Sequence, residues 1–243
     1  MTRENRIART GGVLYLIIIA AGIFAQMFVR ANLTVANDAA ATVANLQGSG
    51  PMFRASIAAD VVMIVADIAL AIAFFALFER VSRSLSLLAA VFRLTQAAIL
   101  GINLLNLFFA LNLATGTNML GAQGASARDQ LALLFLDAHA IGYALALIFF
   151  AMSLLVLGYL VLRSRYLPRL FAGLLAFAAV GYLVDGFARI LMPHYDQFAD
   201  VLGLVVFGPA VVGELAIALW LVFRGVRARA RAAGSLADAR AGA

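Results

Sequence analysis

Six long apolar runs decide most of what this chain can become. They fall at about residues 10–29, 53–78, 87–113, 130–162, 170–191 and 200–223. Crossing the hydrocarbon of a bilayer takes about 20 apolar residues in a helix, and each run is long enough. Backbone groups in lipid must find partners within the chain, so the runs are expected as helices and not as open strands. The expected fold is therefore an all-α polytopic membrane protein: six transmembrane helices within residues 1–224, then a basic tail over 225–243. Composition agrees. Hydrophobic residues are 65% and charged residues 12%, against about 45–50% and 25% in soluble domains.

The net charge of +6 would suit a nucleic-acid partner if it formed a patch. Its placement excludes that reading. All 18 basic residues are arginine, and most lie just outside apolar runs: Arg3, Arg6 and Arg9; Arg80 and Arg83; Arg163, Arg165 and Arg169; Arg224, Arg227, Arg229 and Arg231. The positive-inside rule puts these segments, and with them both chain ends, in the cytoplasm. The intervening segments, 30–52, 114–129 and 192–199, hold only Arg30 and Arg128. The expected partners are the bilayer and anionic lipid at its cytoplasmic face. The expected location is the inner membrane of a bacterium. With no cysteine, thiolate metal sites and cysteine nucleophiles are ruled out.

Local signals mark the connections. Asn37 or Asp38 is placed to cap a short helix over 39–47, closed by Gly48-Ser49-Gly50-Pro51. Ser126 and Asp129 have capping-box spacing at the start of the fourth span. Pro168 suits the first turn of the fifth.

The informative residues are polar ones inside the apolar runs. The second span carries Arg54, Asp60 and Asp67, and the third Arg93, Gln96, Asn103 and Asn106. The fourth carries Asp137, His139 and Tyr143, the fifth Tyr182, Asp185 and Arg189, and the sixth Glu214. A charge at mid-membrane costs about 2.5–3.5 kcal/mol, while one large apolar residue returns only about 0.3–0.6. These side chains must therefore face protein or water. Asp60 and Asp67, seven apart, share one helix face, as do Gln96 and Asn103. Asp185 and Arg189, four apart, have the spacing of a salt bridge within one helix. Counting from the loops places Asp67 and Glu214 mid-membrane with no arginine at their depth, and Arg93 in the inner half. Asp137 and His139, two apart, point differently. No HExxH pattern, P-loop, GxGxxG or GxSxG occurs, so neither metal nor cofactor is expected.

Several segments resemble a known family: FRASIAADVVMIVADIALAIAFFALFERV from Phe53, FRLTQAAILGINLLNL from Phe92, LDAHAIGYALALIFF from Leu136, RSRYLPRLFAGLLAFAAVGYLVD from Arg163 and GELAIALW from Gly213. Together they are similar to the bacterial multipass membrane family catalogued as domain of unknown function 4386. The resemblance implies about six membrane helices and assigns no reaction and no catalytic residue.

Three functional readings follow. The first is a small carrier, channel or ligand-binding protein whose outward-facing polar pocket is lined by Asp60, Asp67, Asn103, Asp137, His139, Asp185, Arg189 and Glu214. The second is a structural or accessory subunit whose polar residues only specify packing. The third is an intramembrane enzyme acting on lipid, with His139 and an aspartate as base or ligand.

Overall fold

In the computed structural model, residues 2–116 and 124–226 are described. Segment 117–123 and the tail from 227, with Arg227, Arg229 and Arg231, lie outside the described residues. Six helices are long and apolar enough to cross a membrane: α1 (Arg3–Leu33), α3 (Gly50–Phe78), α4 (Arg83–Ala114), α5 (Ala125–Ser164), α6 (Arg169–Leu191) and α7 (Ala199–Phe223). The short α2 (Ala39–Gly48) joins α1 to α3.

The punctuation of the sequence sets most boundaries. The Asp38 carboxylate accepts from the Ala41 backbone N–H at 2.9 Å and so starts α2, by ordinary N-capping. Pro51 lies in the first turn of α3, where its missing N–H costs nothing. Pro168 immediately precedes α6, and Arg165 in the left-handed region (φ 56°) ends α5. The expected capping box does not form: α5 begins one residue before Ser126, and its N-cap is Gly124. Pro209 sits inside α7 without ending it.

Helices adjacent in sequence pack side by side from α3 to α7, while α1 packs against both α3 and α7. The six therefore close into a ring. The closing seam is tight: a side chain at Gly12 would put its Cβ 2.8 Å from the Val222 backbone nitrogen. At the foot of the seam Asn5 Oδ1 accepts from the Val226 N–H at 2.9 Å.

The ring is apolar outside and polar within. Phe28, Val65, Ile102, Leu170 and Val212 are exposed, whereas Asp60, Asp67, Arg93, Asn103, His139, Asp185 and Glu214 are buried. A soluble domain arranges these the other way round. The pattern is that of a multipass membrane protein, whose outer surface meets lipid. One end gathers exposed arginines from four segments, including Arg6, Arg80, Arg165 and Arg224. At the other end α2 lies against α5 and α4, with Gln47 Nε2 donating to the Ala114 carbonyl at 2.7 Å.

Candidate functional site

The central layer of the ring is built from every spanning helix. The buried face of α3 repeats at Asp60, Met63, Asp67, Leu70 and Phe74. That of α4 repeats at Arg93, Gln96, Leu100 and Asn103. Where these faces meet, Arg93 Nε donates to Asp67 Oδ1 at 2.6 Å. The guanidinium carbon lies 5.3 Å from the centre of the Tyr15 ring on α1 and 4.9 Å from that of Phe150 on α5, both within cation–π range. On the far side, the Tyr182 hydroxyl of α6 donates to Glu214 Oε1 of α7 at 2.9 Å. Tyr15, Arg93 and Asp67 all lie within electrostatic reach of Glu214.

This corrects the expectation that no arginine shares the depth of Asp67 and Glu214. Arg93 stands ten residues into α4 from Arg83, while Asp67 and Glu214 stand eleven and nine residues before the ends of α3 and α7 at Phe78 and Phe223. Counted from the helix ends at the arginine-rich side, the three share a level; counting from apolar-run limits misjudged it.

The central pairing is incomplete. Arg93 is 1% exposed, yet neither Nη1 nor Nη2 has a hydrogen-bond partner. Asp67 Oδ2 and Gln96 Oε1 are also buried without one, whereas the Tyr15 hydroxyl is turned to Glu214. A buried polar atom left unpaired costs about 1–3 kcal/mol, and three such atoms, Arg93 Nη1 and Nη2 and Asp67 Oδ2, lie on the central ion pair.

A second cluster lies between this layer and α2. Arg30 Nη1 and Nη2 donate to Asp60 at 2.5 and 3.2 Å, and Arg30 Nε donates to Gln26 at 2.9 Å. The sequence reading left Arg30 in a connecting segment. The structure extends the first helix past it through a π-helical stretch, Ile23–Arg30, whose wide turn buries Val29 and Arg30. Such stretches are rare and recur at functional positions. A signal was present only in hindsight: an arginine abutting an apolar run, opposite an acid with no other base. Beside this pair, Asn103 Nδ2 lies 3.1 Å from His139 Nδ1 and donates to the His139 carbonyl at 2.9 Å. Asn106 donates to Asn103 Oδ1 at 2.9 Å. The arrangement needs Gly142, since a Cβ there would come 2.7 Å from the Asn103 carboxamide carbon. His139 Nε2 is buried without a partner. Tyr143, one turn on, interacts with Asp60 and Arg30 on one side and with Asp67 and Glu214 on the other.

The remaining expected residues lie elsewhere. Asp137 is exposed on α5, turned by two helical positions from His139. Arg54 is exposed as well. Asp185 and Arg189 are bridged: the Tyr195 hydroxyl, from the turn before α7, donates to Asp185 Oδ1 at 2.6 Å and accepts from Arg189 Nη2 at 3.0 Å. The guanidinium also stacks 4.2 Å above the Tyr195 ring. Burial first, and then the bond to Asp185, push the Tyr195 phenol up to about 12. This third cluster fastens the α6–α7 connection to α6.

Among the described residues the polar groups pack against one another. A cavity of about 20 Å³ beside Tyr15 is otherwise apolar, walled by Phe74, Phe78, Leu154 and Phe171 among others. A groove at the arginine-rich end runs between α1 and α3, past Arg3, Arg6 and Ile72. Among the described residues no three histidine or acidic side chains are grouped as a metal site.

An uncharacterized protein of Archaeoglobus fulgidus is 29% identical over 170 residues, which are 70% of this chain and 83% of the relative. No solved structure matches. The family described as "Domain of unknown function (DUF4386)" matches over residues 10–225.

Proposed function

The chain belongs to the DUF4386 family of unknown function, and we propose that it binds or conducts a small polar or ionic solute inside its helix ring. The carrying observation is the set of buried, unpartnered hydrogen-bonding atoms at Arg93 and Asp67. Two free donors and a free acceptor, with the Arg93 guanidinium set against the Tyr15 and Phe150 rings, form a recognition set for a small polar occupant. Glu214 completes it. Asp60, Asn103 and His139, with Arg30 and Tyr143, continue the polar track toward α2. Asp185 and Arg189 hold the α6–α7 connection beside it. The proposed pocket faces outward. The arginine-bearing end faces the cytoplasm of a bacterial inner membrane. There the groove beside Arg3 and Arg6 suits an anionic lipid headgroup, at about 1 kcal/mol per arginine.

The test is thermal stability of the purified protein in detergent, for wild type and Asp67→Asn, against a panel of ions, polar solutes and lipids. A ligand that binds only the folded state raises its stability by mass action. One that stabilises wild type and not Asp67→Asn supports the reading. A flat panel would transfer the weight to a structural or accessory role. One observation favours that second reading: Arg30 and Asp60 satisfy each other fully, as a pair that only registers two helices would.

A further inference from the structure

Among the described residues, and leaving aside Asp185, which Tyr195 bridges to Arg189, the ring interior has an odd number of buried charged groups. Two guanidiniums, Arg30 and Arg93, face three carboxylates, Asp60, Asp67 and Glu214, and all five residues are 8% exposed or less. Two positives against three negatives leave one negative charge. Arg30 and Asp60 match each other at the end nearer α2, and Arg93 is bonded to Asp67. The surplus therefore falls on Glu214. Its surroundings are Tyr15 from α1, Asp67 from α3, Arg93 from α4, Tyr143 from α5 and Tyr182 from α6. Only Arg93 among them is a base, and Asp67 already shares it. His139, the other titratable group nearby, lies in the field of the positive Arg30. An uncompensated charge in a low-dielectric interior is not tolerated; the group is neutralised or paired.

We infer that the ring interior takes up one exchangeable positive charge, a proton or an alkali cation, held between Glu214, the Tyr15 hydroxyl and the free oxygen of Asp67. This rests on the solute-binding reading and names the occupant of the same site. A proton needs no room and would sit on Glu214 itself. An alkali cation needs several oxygen ligands: Asp67 Oδ2 and Gln96 Oε1 are buried oxygens with no other partner, and the Tyr15 hydroxyl already lies against Glu214. The two occupants carry the same charge and differ in what competes with them.

The experiment is thermal unfolding of the full-length protein in detergent, comparing wild type, Glu214→Gln and a control, Glu79→Gln. The pH is stepped from mildly alkaline to mildly acid in choline chloride. Sodium or potassium then replaces choline at fixed ionic strength and alkaline pH. The expected result is a rise of several degrees in the wild type and the control, absent in Glu214→Gln. A rise with acid alone identifies a proton, and a rise with sodium or potassium an alkali cation. Equal responses in wild type and Glu214→Gln overturn the inference. Should Glu214→Gln fail to fold, infrared spectroscopy of the wild type serves instead. A protonated-carboxyl band that disappears on raising the pH or adding sodium supports the inference. Its absence at every pH, together with salt-insensitive stability, overturns it. A neutral polar solute that stabilises wild type while protons and alkali cations do nothing would defeat this inference and leave the solute-binding reading standing.

Discussion

At the scale of single residues, the buried charges divide by whether their partners are complete. Asp60 is held at both oxygens by Arg30. Removing one member of such a pair strands the other in the interior, at about 3–5 kcal/mol. Arg30→Gln should therefore lose that much in reversible unfolding, and Arg30→Gln with Asp60→Asn should recover most of it. Tyr195 offers a second case. Tyr195→Phe removes both the donor to Asp185 and the acceptor for Arg189, and should cost about 1–3 kcal/mol. The phenol, pushed from its ordinary 10.0 to about 12, stabilises the fold fully below 10.0 and loses that contribution as the pH rises toward 12. Ultraviolet titration should count one tyrosinate fewer at the alkaline end in Tyr195→Phe than in wild type. The identity of the buried polar residues could be read from the sequence, because a charge inside an apolar run is conspicuous. Their partners could not. Arg93 meets Asp67 across the α3–α4 contact, Arg30 enters through a π-helical stretch, and Tyr195 inserts between two residues whose spacing suggested direct contact.

At the scale of elements, the six helices and the short α2 were legible, since hydrophobic length and turn residues both mark them. The ends were less so. The apolar count stops the first helix at its first charge, whereas the real helix runs on to Leu33. What the sequence could not supply is the closeness of helix pairs, which depends on single glycines. Gly142 leaves room for the Asn103 carboxamide between α4 and α5. Gly142→Val should force the two helices apart and break the Asn103–His139 contacts. The loss should be about 1–3 kcal/mol, with a shifted His139 ring resonance in NMR spectra. Gly12→Val should open the α1–α7 seam. The chain has no native cysteine, so disulfide formation between Asn5→Cys and Val226→Cys would report it, with high yield in the parent and low yield with Gly12→Val.

At the scale of the whole molecule, the charge asymmetry between its two ends sets an orientation that can be measured. A cysteine at Gly48, at the α2 end, should react with a membrane-impermeant maleimide in intact cells. One at Arg83 should react only after lysis. The ring also bears on how the protein is made. Each helix packs beside the one synthesised just before it, so contacts can form as the chain leaves the ribosome, without long searches. Arg30 is already in place when Asp60 emerges. Asp67 waits only for the next helix to deliver Arg93, and Tyr182 precedes Glu214. No buried acid has to spend more than one helix of synthesis exposed to lipid. Among the spanning helices described, the junction of α7 with α1 joins segments far apart in the sequence, and the ring closes when that junction forms.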